Sequence, residues 1–144
     1  MVCRHKGVMQ MKTLKYSRQR ESIKKYVMSH NDHPTADTIY MAIREEFPNI
    51  SLGTVYRNLN LLADLGEISR FDCGDGSEHF DWDVTPHYHF VCRTCGAVMD
   101  LPKDIVRGTN ELLPDTSLGR VDSHRIFFYG ECKDCIRKKN AHND

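Results

Sequence analysis

The chain has 144 residues, 40% of them hydrophobic, and carries 20 basic and 20 acidic side chains. That allows one ordinary domain or two small ones, and small cores lean on metals, disulfides or oligomerisation. The charge divides unevenly, with 11 Lys/Arg against 7 Asp/Glu from Met1 to Phe71 and 9 against 13 from Asp72 to Asp144, so a polyanion suits the front half and cations suit the rear. No apolar run reaches the roughly 18 residues of a membrane span, and the opening MVCRHKGVMQ lacks the apolar stretch of a secretory signal. The expected setting is cytoplasmic, with no membrane partner.

Residues 1–12 read as a disordered extension, with Met11 as an alternative start to Met1. Ser17 caps a first helix in which Ile23, Tyr26 and Val27 share a face. His33-Pro34 breaks the chain, because a residue ahead of proline avoids helical angles. Thr35 caps a second helix with Ile39, Ala42 and Ile43 inward, ended by Phe47-Pro48. Ser51 caps a third, with Leu52, Val55, Leu59, Leu62 and Leu65 as its apolar stripe and Gly66 just past its end. Ile68 to Asp72 and Glu78 to Trp82 flank the turn Cys73-Gly74-Asp75-Gly76-Ser77 and read as a hairpin. Three helices and a hairpin match a winged helix-turn-helix, a pattern shared with three-helix cores that bind no DNA.

Asp83 to Pro86 reads as a linker, giving a first domain over 1–83 and a second over 84–144. In the second, Tyr88 to Cys92 and Ala97 to Leu101 read as strands, and Pro102 opens a helix from Lys103 to Leu113. Gly119 to Gly130 reads as a further strand, with Val121, Ile126 and Phe128 among its apolar positions. The expected fold class is α+β, a winged helix followed by a small α/β module.

Two C-x-x-C pairs, Cys92/Cys95 and Cys132/Cys135, are the most specific feature. Each turn can aim two sulfurs at one ion, and four thiolates with no open position describe a structural Zn²⁺. A redox dithiol, an iron–sulfur centre and unliganded cysteines are the competing readings. The 36 residues between the pairs exceed a zinc-ribbon spacing, so a whole structural unit would be clamped. His87 and His89, two apart on an expected strand, point to one face, with Asp81 and Asp100 nearby. Imidazoles and carboxylates without sulfur suit Fe²⁺ or Mn²⁺, against the plain alternative of solvated surface residues.

The segments HPTADTIY (His33 to Tyr40), SLGTVYRNL (Ser51 to Leu59), PHYHFVCRTCG (Pro86 to Gly96) and GECKDC (Gly130 to Cys135) together resemble the ferric uptake regulator (Fur) family, most closely its peroxide-responsive repressor (PerR) branch. The resemblance runs from about Tyr16 to Lys138. It implies a metal-dependent repressor, not an enzyme, whose second domain dimerises and whose homodimer binds an inverted repeat in double-stranded DNA. It also implies zinc on Cys92, Cys95, Cys132 and Cys135, and a regulatory Fe²⁺ or Mn²⁺ on His33, Asp81, His87, His89 and Asp100. Residue type alone would not have selected His33. Iron-sensing members carry Glu where this chain has Asp81 and Asp100, which favours peroxide sensing by Fe²⁺-catalysed oxidation of His33 or His87. Arg57, widespread among iron sensors, does not support that branch. His124 is the remaining candidate for an extra family metal site, and Cys3 and Cys73 read as spare thiols.

In a helix-turn-helix the second helix of the motif reads bases from its N-terminal part, here Ser51, Thr54, Tyr56, Arg57 and Asn58. Arg57 can reach guanine O6 and N7, and Tyr56 a thymine methyl or a phosphate. Arg18, Gln19 and Arg20 would contact backbone, which positions without specifying. The alternatives are an iron-sensing repressor, a metalloenzyme using the His/Asp site, and a zinc-ribbon adaptor that binds only protein.

Overall fold

The computed structural model describes residues 14–102, 104, 119–120 and 124–142. Its first half is three helices, α1 (Arg18–Met28), α2 (Ala36–Glu46) and α3 (Leu52–Asp64), followed by a hairpin of β1 (Ser69–Asp72) and β2 (Glu78–Asp81). Each helix starts where a short hydroxyl side chain can accept from an orphan amide. Ser17 Oγ accepts from Arg20 N at 3.3 Å, Thr35 Oγ1 from Thr38 N at 3.3 Å, and Ser51 Oγ from Thr54 N at 3.1 Å. At the end of α3, Gly66 takes φ 73° while its N–H reaches the Ala63 carbonyl and the Glu67 N–H reaches Leu62. That double bond closes the helix and needs the left-handed geometry glycine tolerates.

One core unites the helices with the hairpin. Ile23 and Val27 of α1, Ile39 of α2, Val55 and Leu59 of α3 and Phe80 of β2 are all fully buried within it. The expected stripes hold with three corrections. Leu65 is half exposed, because it is the C-cap, where the helical register lapses, and Ala42 and Leu52 are only partly buried.

The second sheet has the order β4-β3-β5, from β3 (His89–Cys92), β4 (Val98–Asp100) and β5 (Phe127–Gly130). β4 runs antiparallel to β3, setting His89 opposite Asp100, and β5 runs parallel to it, setting Cys92 opposite Gly130. A smaller core of Phe71, Cys73, Val91 and Val98 lies between hairpin and sheet. The strand expected over Gly119 to Gly130 holds for its last four residues; 119–120 and 124–126 are irregular, and 121–123 fall outside the described residues. Of the helix expected from Lys103 to Leu113, all but Asp104, which lies in a turn, falls outside the described residues. The sequence reading missed α4 (Lys133–Ala141), whose one buried residue is Cys135. No helix among the described residues is long and apolar enough to cross a membrane.

Candidate metal centres

β3 offers a candidate ligand at each end, His89 and Cys92. Its register with β5 places Cys92 level with Gly130, two residues ahead of Cys132. Cys132 is the N-cap of α4, and Cys135 lies in its first turn. After Cys95 the chain reverses at Gly96, at φ 76°, whose N–H donates to the Cys92 carbonyl at 2.9 Å. Cys92 Sγ then lies 3.8 Å from Cys135 Sγ, and Cys95 Sγ 3.9 Å from Cys132 Sγ. Zinc–sulfur bonds of about 2.3 Å in a tetrahedron separate sulfurs by about 3.8 Å, whereas a disulfide needs about 2.05 Å. The spacing is that of a closed zinc site, and all four thiols are free.

The Cys132 N–H, 3.3 Å from Cys92 Sγ, holds that thiol down at about 6. The Cys132 side chain beside Cys135 pushes the latter up to about 12. Sulfurs this close ionise together only around a shared cation.

A second group gathers His33, Asp81, His87, His89 and Asp100, with ligand atoms all within 4.8 Å of one another. His33 comes from the loop ahead of α2, Asp81 from the end of β2 and Asp100 from the end of β4. His87 precedes β3 instead of lying on it, which corrects the same-strand expectation, yet its ring sits 4.5 Å from that of His89. His33 Nε2 lies 2.8 Å from Asp100 Oδ1 and 3.4 Å from Asp81 Oδ2. His87 Nε2 lies 2.9 Å from Asp81 Oδ2 and 3.0 Å from Asp100 Oδ1. His89 Nε2 stands 3.5 and 3.4 Å from the same two oxygens.

The far nitrogens are committed elsewhere. His33 Nδ1–H donates to the Val98 carbonyl at 3.1 Å and His87 Nδ1–H to the Thr85 carbonyl at 2.7 Å, which turns Nε2 inward as in metal-bound histidines. His87 Nε2 is the telling atom. It is buried and makes no hydrogen bond, although two carboxylate oxygens lie within 3.0 Å. Its distances are short but its line is wrong for a hydrogen bond, so the donor set fits a hard or borderline divalent cation at its centre. The Asp100 side chain is 43% exposed while the three imidazoles are nearly covered, so the cluster opens to solvent on that side.

Burial pushes His33 and His87 down, but Asp81 and Asp100 outweigh it at His33, and the Thr85 carbonyl with Asp100, Asp81 and Asp83 outweighs it at His87, so both stand above the usual imidazole range. Burial likewise opposes ionisation of Asp81, and hydrogen bonds from His33 and His89 hold its carboxyl far below the usual range. His33 adopts φ 55° ahead of Pro34, a left-handed conformation costing on the order of 1–3 kcal/mol in a non-glycine residue. The Phe80 N–H bonded to the Pro34 carbonyl at 3.0 Å and the His79 ring bonded to the His33 carbonyl at 2.8 Å hold it there.

On α3, Arg57 is exposed and donates to Thr54 Oγ1 at 2.9 Å, while Asn58 donates to the Thr54 carbonyl. Tyr56 packs in part against the helical core. Arg20 reaches back to the Lys15 carbonyl at 2.6 Å, and Arg18 lies 3.9 Å from Glu46. His124 meets Tyr88 at 3.2 Å and belongs to no ligand group among the described residues.

Residues 11–129 match the model of the ferric uptake regulator family. The peroxide-responsive repressor PerR of Staphylococcus epidermidis is 38% identical over 122 residues, which is 85% of this chain and 81% of that protein. The peroxide stress regulator of Campylobacter jejuni is 32% identical with a TM-score of 0.68, over 81% of this chain and 88% of that one. The ferric uptake regulator of Helicobacter pylori is 26% identical with a TM-score of 0.73, over 85% of this chain and 83% of that one. These relatives are regulators, and the metalloenzyme alternative is set aside. A winged-helix-like front half, a four-cysteine cluster with zinc spacing and a five-ligand His/Asp cluster thus coincide with the matches, and the chain belongs to the ferric uptake regulator family.

Proposed function

We propose that this chain represses transcription as a homodimer, binding an inverted repeat in promoter DNA when its His/Asp cluster holds Fe²⁺ or Mn²⁺, and that peroxide releases it. The observation that carries the reading is the span of that cluster. His33 and Asp81 belong to the helical half and its hairpin, whereas His89 and Asp100 lie on the second sheet and His87 just ahead of it. One ion held by all five would fix the helical half against the sheet, and so set the distance between two DNA-reading helices in a dimer. The domain division falls after Asp83, with dimerisation assigned to residues 84–144 around zinc on Cys92, Cys95, Cys132 and Cys135. Arg57, exposed on α3, is the leading base reader, with Thr54, Tyr56 and Asn58 beside it and Arg20 on the backbone.

Iron bound in the cluster supplies one-electron reduction of H₂O₂. His33 and His87 are the imidazoles that the family resemblance marks for oxidation, and both turn Nε2 toward Asp81 and Asp100. Loss of either ring as a ligand would untie the two halves. Brief peroxide treatment of the Fe²⁺ form should add oxygen to one of these histidines, located by mass spectrometry of tryptic peptides, and abolish operator binding. The Mn²⁺ form should survive. Oxidation confined to the four cysteines would place sensing at the zinc. Operator binding that tracks free Fe²⁺, with no oxidation, would make the protein an iron sensor.

A further inference from the structure

The hairpin turn brings together three candidate ligands that neither centre uses. Cys73 follows β1, Asp75 sits in the turn and His79 lies on β2, and their ligand atoms all fall within 4.8 Å of one another. Cys73 and His79 are buried and Asp75 is exposed. The turn is held open for this arrangement. Asp75 commits Oδ1 to the Ser77 N–H at 3.0 Å, leaving Oδ2 at 2.6 Å from His79 Nε2. His79 commits Nδ1–H to the His33 carbonyl at 2.8 Å, so Nε2 is the atom turned toward Asp75. The Tyr129 hydroxyl donates to the Cys73 carbonyl at 2.7 Å and pins the other side of the turn. An adjoining cleft of about 390 Å³, lined by Cys73, Asp75, Arg93 and Tyr129, gives access from solvent.

We infer that Cys73, Asp75 and His79 form a third metal site, which takes a thiophilic divalent cation such as Zn²⁺ or Co²⁺. One thiolate, one imidazole and one carboxylate are borderline ligands that suit those ions, with the fourth tetrahedral position left for water. A cation with bonds of about 2.0 Å to nitrogen and oxygen would hold those two atoms about 3.3 Å apart. Seating it needs the shared hydrogen between His79 and Asp75 replaced, a small widening of the turn, and the Cys73 sulfur, within 4.8 Å of both, drawn to about 3.5 Å. The exposed Asp75 side supplies that freedom. The plainer reading, a histidine that braces a hairpin and a thiol that fills the small core, explains each contact separately but not why all three ligand atoms converge. The site does not depend on the chain being a peroxide sensor.

The test is a Co²⁺ titration of the full-length, zinc-loaded protein, with released zinc followed by a chromogenic chelator. The His/Asp cluster has no sulfur and gives no sulfur-to-cobalt charge-transfer band, so such a band reports Cys73, Cys3 or exchange at the four cysteines, and Cys73→Ser separates the first from the other two. The expected result is a band that saturates at one sulfur-bound Co²⁺ per chain without zinc release and is absent from Cys73→Ser. Asp75→Asn, at an exposed turn where folding is safe, should weaken the band's Co²⁺ affinity at least ten-fold. No band, a band matched by zinc release, a band surviving in folded Cys73→Ser, or an unchanged affinity in Asp75→Asn would each overturn the site.

Discussion

The four-cysteine cluster and the His/Asp cluster share one strand and differ in how they are assembled. All four sulfurs come from the second sheet and α4, at spacings that already suit a tetrahedral ion, and no coordination position is left over. The five His/Asp ligands come from both halves, His33 lying 67 residues from Asp100, and Asp100 remains partly open to water. A centre drawn from one unit can only stabilise that unit. A centre drawn from two can report on whether they are held together, and its Asp100 side faces solvent.

Removing a cysteine should break the comparison at its strongest point. Cys95→Ser should hold less than one zinc per chain and lose dimerisation, because structural zinc contributes on the order of 10 kcal/mol to small domains. Metal analysis with analytical ultracentrifugation checks this, and a stable zinc-free dimer would refute it. Arg57→Ala touches neither centre. It should retain metal and fold while losing about 2–6 kcal/mol of operator affinity, from one arginine–guanine contact in each half-site. Equal binding at matched salt would remove Arg57 as a base reader. His87→Ala should keep its zinc and its dimer but bind Mn²⁺ about 100-fold more weakly, at least the cost of disturbing a ligand's outer partner. Calorimetry would show it, and zinc loss in this variant would mean the centres are not separate.

The smallest effect concerns protons. His33 and His87 are raised from 6.5, so their contribution to the metal-free fold is full below that value and is lost as pH rises through their folded values. Asp81 is lowered from 3.8, so its contribution is full above that value and is lost as pH falls through its folded value. Without metal the cluster is therefore most favourable between those limits. Bound metal competes with the histidine protons, and the rise in Tm on adding Mn²⁺ should grow from about pH 5 to about pH 8. A Tm gain that is flat with pH would exclude imidazole ligation.

Legibility in the sequence followed range. Ser17, Thr35 and Ser51 were readable as caps because each bonds an amide three residues away. The C-x-x-C turns were readable for the same reason. α4 was not, because KDCIRKKNA buries a single residue and shows no apolar stripe. His33 came only through family resemblance, since a pre-proline loop residue gives no sign of partners on β2 and β4. The neighbours of Cys73 were hidden by reading the turn as connection alone, although Cys-x-Asp-x-x-x-His across a tight reversal is itself a ligand spacing.

The odd step along β3 has one more consequence. His89 and Cys92 are three residues apart, about 10 Å along an extended strand, and side chains three apart leave opposite faces. The strand is therefore a partition between two coordination chemistries. An imidazole–carboxylate pocket and a thiolate pocket on opposite faces cannot trade donors across it, so the four cysteines and the His/Asp ligands form no mixed site. Sorting of the two metals would then rest on backbone alternation, and insertion of a single residue between His89 and Cys92 would put both donors on one face and end it.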